Sequence, residues 1–90
     1  MRIARRMTIS GQVQGVGYRW FALDAATREG VTGWVRNLPD GRVEAFVEGD
    51  LESVTRVERA FRRGPGRARV EKVSVIDEEP GGAYAGFSIT

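Results

Sequence analysis

The chain has 90 residues, 41% of them apolar, and 14 basic against 12 acidic residues give a net charge of +2. That is enough chain for one domain (residues 1–90) with one modest core, and it is too apolar for a disordered segment. Histidine and cysteine are both absent, which excludes disulfides, Ser-His-Asp and Cys-His nucleophilic sites, and ordinary zinc sites.

Apolar residues alternate through Ile3, Met7, Ile9 and on to Val13, with Thr8 and Ser10 between them, and predict a first strand. Arg5 and Arg6 interrupt this segment, so it is no signal peptide, and no run approaches the length of a membrane span. The expected setting is the cytoplasm, with no membrane contact.

The stretch from Gly11 to Arg19, Gly-Gln-Val-Gln-Gly-Val-Gly-Tyr-Arg, follows that strand and precedes a helical segment. A glycine-rich turn of this kind aims several backbone N–H groups at one point, and the helix start adds partial positive charge there. Arg19 adds a planar, permanently charged fork that matches phosphate oxygens in pairs. The loop therefore reads as an anion cradle, with a phosphoryl group as the expected occupant.

From Tyr18 to Glu29 there is neither Gly nor Pro, and Phe21, Ala22, Ala25 and Ala26 share a helical face. Gly30 is placed as its C-cap. Val31–Asn37 and Arg42–Glu48 read as strands joined by a Leu38-Pro39-Asp40-Gly41 turn. Asp50 reads as the N-cap of a second helix carrying Leu51, Val54, Val57 and Phe61, which Gly64-Pro65-Gly66 ends. Val70, Val73, Val75 and Ile76 mark another strand. Residues 77–84 read as a surface loop, with Asp77, Glu78 and Glu79 solvated within it, and Phe87 and Ile89 as a short last strand.

The order is β-α-β-β-α-β plus a C-terminal strand. It predicts an α+β, ferredoxin-like (split β-α-β) sandwich, an antiparallel sheet with two helices on one face. Trp34, Phe46, Phe61 and Phe87 are expected in packing roles. Trp20 is open between a pocket wall and a packing residue.

Two motifs together resemble the acylphosphatase family: Gly11 to Arg19 as quoted, and Gly33-Trp34-Val35-Arg36-Asn37 followed by Gly41-Arg42-Val43 and Gly49. Either alone is a weak pattern; the ordered pair, in a chain of this length, is specific. The resemblance implies hydrolysis of acyl phosphates to carboxylate and inorganic phosphate. It implies that backbone N–H groups of Gln14, Gly15, Val16, Gly17, Tyr18 and Arg19 hold the phosphate. The Arg19 guanidinium would bind the phosphoryl oxygens and the Asn37 amide would position the attacking water. No metal, cofactor or phospho-enzyme is implied, and inorganic phosphate is expected as product and competitive inhibitor. One departure is Gln12, where many relatives carry Lys or Arg, and weaker phosphate affinity is the expected consequence.

The composition agrees with that chemistry. An acyl phosphate departs as a carboxylate whose conjugate acid has a pKa of about 4, so no general acid is needed. Orientation and charge stabilisation remain, which arginine and amides supply. Two other readings compete: a module that captures carbamoyl phosphate or a related anion without hydrolysis, and an RNA-binding domain of similar element order. Nucleic acid is not an expected partner, because the basic residues are interleaved with acidic ones. Arg42 to Glu48 also holds one aromatic and two acids where stacking aromatics would stand. For Arg19 the bland alternative is a surface ion pair with Asp24 or Glu29, and for Asn37 a turn-forming role. A monomer is expected.

Overall fold

The computed structural model describes residues 1–90. Its elements are β1 (Arg2–Gln12), α1 (Tyr18–Glu29), β2 (Thr32–Asn37), β3 (Val43–Asp50), α2 (Leu51–Arg63), β4 (Arg69–Glu78) and β5 (Phe87–Ile89). The sheet order is β4-β1-β3-β2-β5. The β1–β3, β1–β4 and β2–β3 pairs are antiparallel, whereas β5 runs parallel to β2. The expected ferredoxin-like α+β architecture is present, with the sheet corrected from antiparallel to mixed. The long connection after β4 carries the chain back over the sheet, so its last strand enters β2's free edge in β2's own direction.

Period-2 patterning sets the two faces of the sheet. Met7 and Ile9 of β1 and Val43, Ala45 and Val47 of β3 are fully buried, as are Val54, Val57 and Phe61 of α2 and Ala22 and Ala26 of α1. These residues form one apolar cluster. The expected α1 face shifts slightly: Tyr18 is buried with Ala22, Ala25 and Ala26, and Phe21 only half so.

Gly33 shows how closely the sheet is packed. Its φ is +138°, and a Cβ there would lie 1.9 Å from the carbonyl oxygen of Phe46 on the neighbouring strand. Only glycine lets β2 and β3 meet in this register.

Three expected details change. Asp50 stands at the N-cap of α2 but makes no side-chain capping bond. The N–H of Leu51 is satisfied instead by the Met1 carbonyl at 2.9 Å, and Leu51 itself is exposed. Asp77 and Glu78 belong to β4, not to a loop. Asp77 stands directly opposite Arg5 of β1 and Glu78 opposite Ala4, with Arg6 on the diagonal. The Arg5 and Arg6 guanidinium groups bind the two carboxylates, and opposite charges so placed favour continued pairing.

The outer face of the sheet is polar and ordered. Glu44 of β3 accepts from Arg36 of β2 at 2.7 Å and from Arg6 of β1 at 3.5 Å, and Arg6 reaches Glu78 of β4 at 2.5 Å. Four neighbouring strands are thus joined by one run of alternating charges. Beside it Trp34 stacks on Phe46, with Arg6 and Arg36 over the indole. The segment leading to β5 folds across this face: Tyr84 packs on Phe46, its hydroxyl accepts from Trp34 Nε1, and the Gly82 N–H donates to buried Glu48.

Candidate active site

The cradle begins where β1 ends. Gly15 and Gly17 have φ of +74° and +78°, with open space around the position a Cβ would take. Backbone conformation, not crowding, requires glycine here, since other residues pay about 1–2 kcal/mol in the left-handed region. The chain curls through these two residues and enters α1, whose first bond runs from the Phe21 N–H to the Gly17 carbonyl at 3.0 Å.

The curl leaves its donors free. No backbone N–H from Gly15 through Trp20 bonds to another group of the chain, and α1 has no side-chain N-cap. Orphan donors at a helix start, lying along the helix dipole, favour an anion.

Tyr18 and Val16 turn the other way. Val16 packs against the core. The buried Tyr18 hydroxyl donates to the Phe61 carbonyl at 2.6 Å, satisfying one of the unpaired carbonyls at the end of α2. The cradle is therefore anchored through the residue that separates Gly17 from Arg19. Both residues offer a ligand only their backbone.

Burial pushes the Tyr18 phenol above its usual value of 10. A group whose folded pKa is raised keeps its stabilising effect below about pH 10 and loses it as pH climbs past the unfolded value. Urea unfolding at pH 9 and pH 11 should therefore show stability falling by up to about 1.4 kcal/mol per pH unit. Tyr18→Phe should cost about 1 kcal/mol at pH 9 and flatten that fall.

Gln14 joins the cradle to the β2–β3 turn. Its Nε2 donates to the carbonyls of Leu38 and Arg42 at 2.8 and 2.9 Å. That turn is closed by Leu38 N–H to Arg42 and Gly41 N–H to Leu38. Hydrogen bonds from the Arg42 side chain, then its backbone, hold the Asp40 carboxyl below the usual carboxylate range. Asn37 lies directly before the turn, at the end of β2 and opposite Val43. The side-chain tie of Gln14 has no local sequence signal; its partners lie 24 and 28 residues away.

These elements enclose a cavity of about 160 Å³ lined by Val13, Gln14, Gly15, Gly17, Tyr18, Arg19, Trp20 and Asn37. Of the residues expected from the sequence, Gln14, Gly15, Gly17, Tyr18, Arg19 and Asn37 line this space and Val16 does not, and no carboxylate lines it. Neither suggested partner holds Arg19: Asp24 pairs with Arg28 and Glu29 with Arg56. Arg19 forms no ion pair, and the Asn37 amide makes no bond within the chain. Both side chains are held by their backbones and left available to a ligand.

A cleft of about 210 Å³ between the helices is larger and also arginine-lined. There Arg28 and Arg56 are paired with carboxylates and Arg63 lies over Phe21. It is bordered by helix sides, whose backbone donors are already used, so the smaller cavity has the stronger claim to reaction chemistry.

Residues 5–89 match the family model Acylphosphatase. The chain is 49% identical over 88 residues to an acylphosphatase of Anaeromyxobacter dehalogenans, spanning 98% of this chain and 95% of that one. The crystal structure of acylphosphatase from Bacillus subtilis superposes with a TM-score of 0.94 at 33% identity, covering 98% of both chains. The structure of HypF from T. kodakarensis also matches, with a TM-score of 0.82 and 29% identity. In that case 98% of this chain corresponds to 12% of the longer one. With the family model matching almost the whole chain and a relative half identical to it, the chain belongs to the acylphosphatase family.

Proposed function

We propose that the cavity between Gln14 and Asn37 hydrolyses acyl phosphates by direct attack of water on phosphorus, with no phospho-enzyme and no metal in the reacting complex. The observation that carries this reading is the cavity's composition. Residues with free N–H groups, an arginine without an ion pair and an asparagine with an unbonded amide line one space that no carboxylate lines. Such a space suits a phosphoryl group, and family membership points to the acyl kind.

The phosphoryl oxygens take up the N–H groups of Gly15 to Arg19, with Val16 and Tyr18 contributing backbone only. The Arg19 fork binds two of them and gathers the negative charge that grows on the equatorial oxygens. The Asn37 amide holds a water opposite the leaving oxygen. As the water oxygen bonds to phosphorus, the P–O bond to the acyl group breaks and its electron pair leaves on the carboxylate. The water's proton passes to a phosphate oxygen. The products are carboxylate and inorganic phosphate, and phosphate competes for the same cradle. The same reading takes the chain as a cytoplasmic monomer with one domain over residues 1–90.

Purified protein should hydrolyse benzoyl phosphate in the presence of EDTA, with competitive inhibition by phosphate and no turnover of a simple alkyl phosphate. In ¹⁸O-water the label should enter phosphate; label in benzoate would place the attack on the carbonyl carbon and overturn the mechanism. A folded protein that binds phosphate and turns over no acyl phosphate would make the cavity a capture site instead.

The sequence also sets the pH dependence. Histidine and cysteine, whose ordinary pKa values lie between about 6 and 9, are absent. The α-amino group sits at Met1, at the opposite end of β1 from the cradle. The kcat profile should therefore be flat from about pH 6 to pH 9. A bell with two limbs in that range would show a general acid or base and count against the proposal.

A further inference from the structure

Trp20 is unusual among the aromatic residues. It is 71% exposed, while Trp34 is engaged by Phe46, Tyr84, Arg6 and Arg36. Tyr18 and Phe61 are buried together. The Trp20 ring meets no aromatic or cationic partner, and its Nε1 makes no hydrogen bond. Yet it lines the same cavity as Arg19 and Asn37.

Its place on α1 explains how. Trp20 is the third residue of the helix, and helical side chains lean toward the N-terminus, over the turn before their own Cα. Three residues earlier stands Gly17, which has no side chain to block that path. The indole is thereby placed at the rim of the cradle.

We infer that Trp20 is the platform for the acyl group, and that the site favours acyl phosphates with a flat, apolar acyl group, aromatic above all. This rests on the acyl phosphate hydrolysis proposed above. With the phosphoryl group held by the cradle and Arg19, the rest of the open 160 Å³ cavity, whose lining includes Trp20, is left to the acyl group. The acyl group must extend toward the rim, where an exposed indole face accepts a planar apolar group by stacking. A small polar acyl group gains little from that surface.

The test compares benzoyl phosphate with acetyl phosphate in wild type, Trp20→Ala and Trp20→Phe. The benzoyl-to-acetyl ratio of kcat/KM should fall about tenfold in Trp20→Ala, in keeping with the worth of an aromatic pair, and recover most of its value in Trp20→Phe. An unchanged ratio would overturn the platform even if both rates fall. A second measurement does not depend on turnover. In a Trp34→Phe protein, where Trp20 is the sole indole, benzoyl phosphate should quench the emission more than acetyl phosphate does at equal occupancy. Selective quenching in a protein that hydrolyses neither compound would sink the hydrolase reading and keep the platform. Equal quenching by the two would sink the platform.

Discussion

Asn37→Ala is expected to lower kcat for benzoyl phosphate by about 10²–10³, the usual cost of removing one donor that acts in the transition state. The inhibition constant of phosphate should barely move. Asn37 makes no side-chain bond within the chain, so no internal partner is orphaned by its removal. It stands at the end of β2, where β2–β3 pairing and the Gln14 tie to the turn persist without it. Thermal unfolding should therefore match wild type within a few degrees. If Asn37 only shaped the turn, stability would fall and turnover by the folded protein would remain, which a melting curve beside a rate assay separates. Retained kcat in a stable variant would remove Asn37 from the mechanism.

Arg19→Ala should fail differently. The guanidinium is assigned to the phosphoryl oxygens in both the bound substrate and the transition state, so affinity and rate should fall together. The expected loss in kcat/KM is on the order of 10³ or more, with phosphate inhibition weakened in parallel. Arg19 has no carboxylate partner and alanine is a better helix former, so α1 should tolerate the change. Arg19→Lys keeps the charge and loses the fork, and little rescue by lysine would tie the effect to two-point binding. Unaltered phosphate inhibition in Arg19→Ala would show that the backbone cradle alone holds the anion.

Much of this arrangement was legible in the chain because its determinants are local. Gly15 and Gly17 mark a curl that needs positive φ, Gly30 ends α1, and alternation assigns the faces of β1 and β3. The two motifs place Arg19 and Asn37, and pairing of β1 and β2 with β3 brings them to one cavity. What was not legible depends on distant partners. β5 has three residues, and its parallel place beside β2 follows from the path of the preceding segment. Alternation puts Glu48 on the outer face. It is buried because the segment around Gly82 folds over it. Residues 77 and 78 read as loop because acids are poor strand formers. Arg5 and Arg6, some 70 positions earlier, reverse that preference.

The run of charges from Arg36 through Glu44 and Arg6 to Glu78 crosses β2, β3, β1 and β4. At room temperature each exposed or half-exposed pair is worth little, about 0–1 kcal/mol. Heating changes the balance, because water's hold on separated charges carries a negative entropy and weakens as temperature rises. A linked set, in which Glu44 and Arg6 each serve two partners, gains most, since fixing one side chain serves two bonds. The sheet thus carries a brace that tightens, relative to the rest of the molecule, as the solvent warms. The cradle is suspended between β1 and the β2–β3 turn, two of the places this brace ties together. Its geometry is therefore best defended in the range where hydrophobic packing has stopped gaining strength.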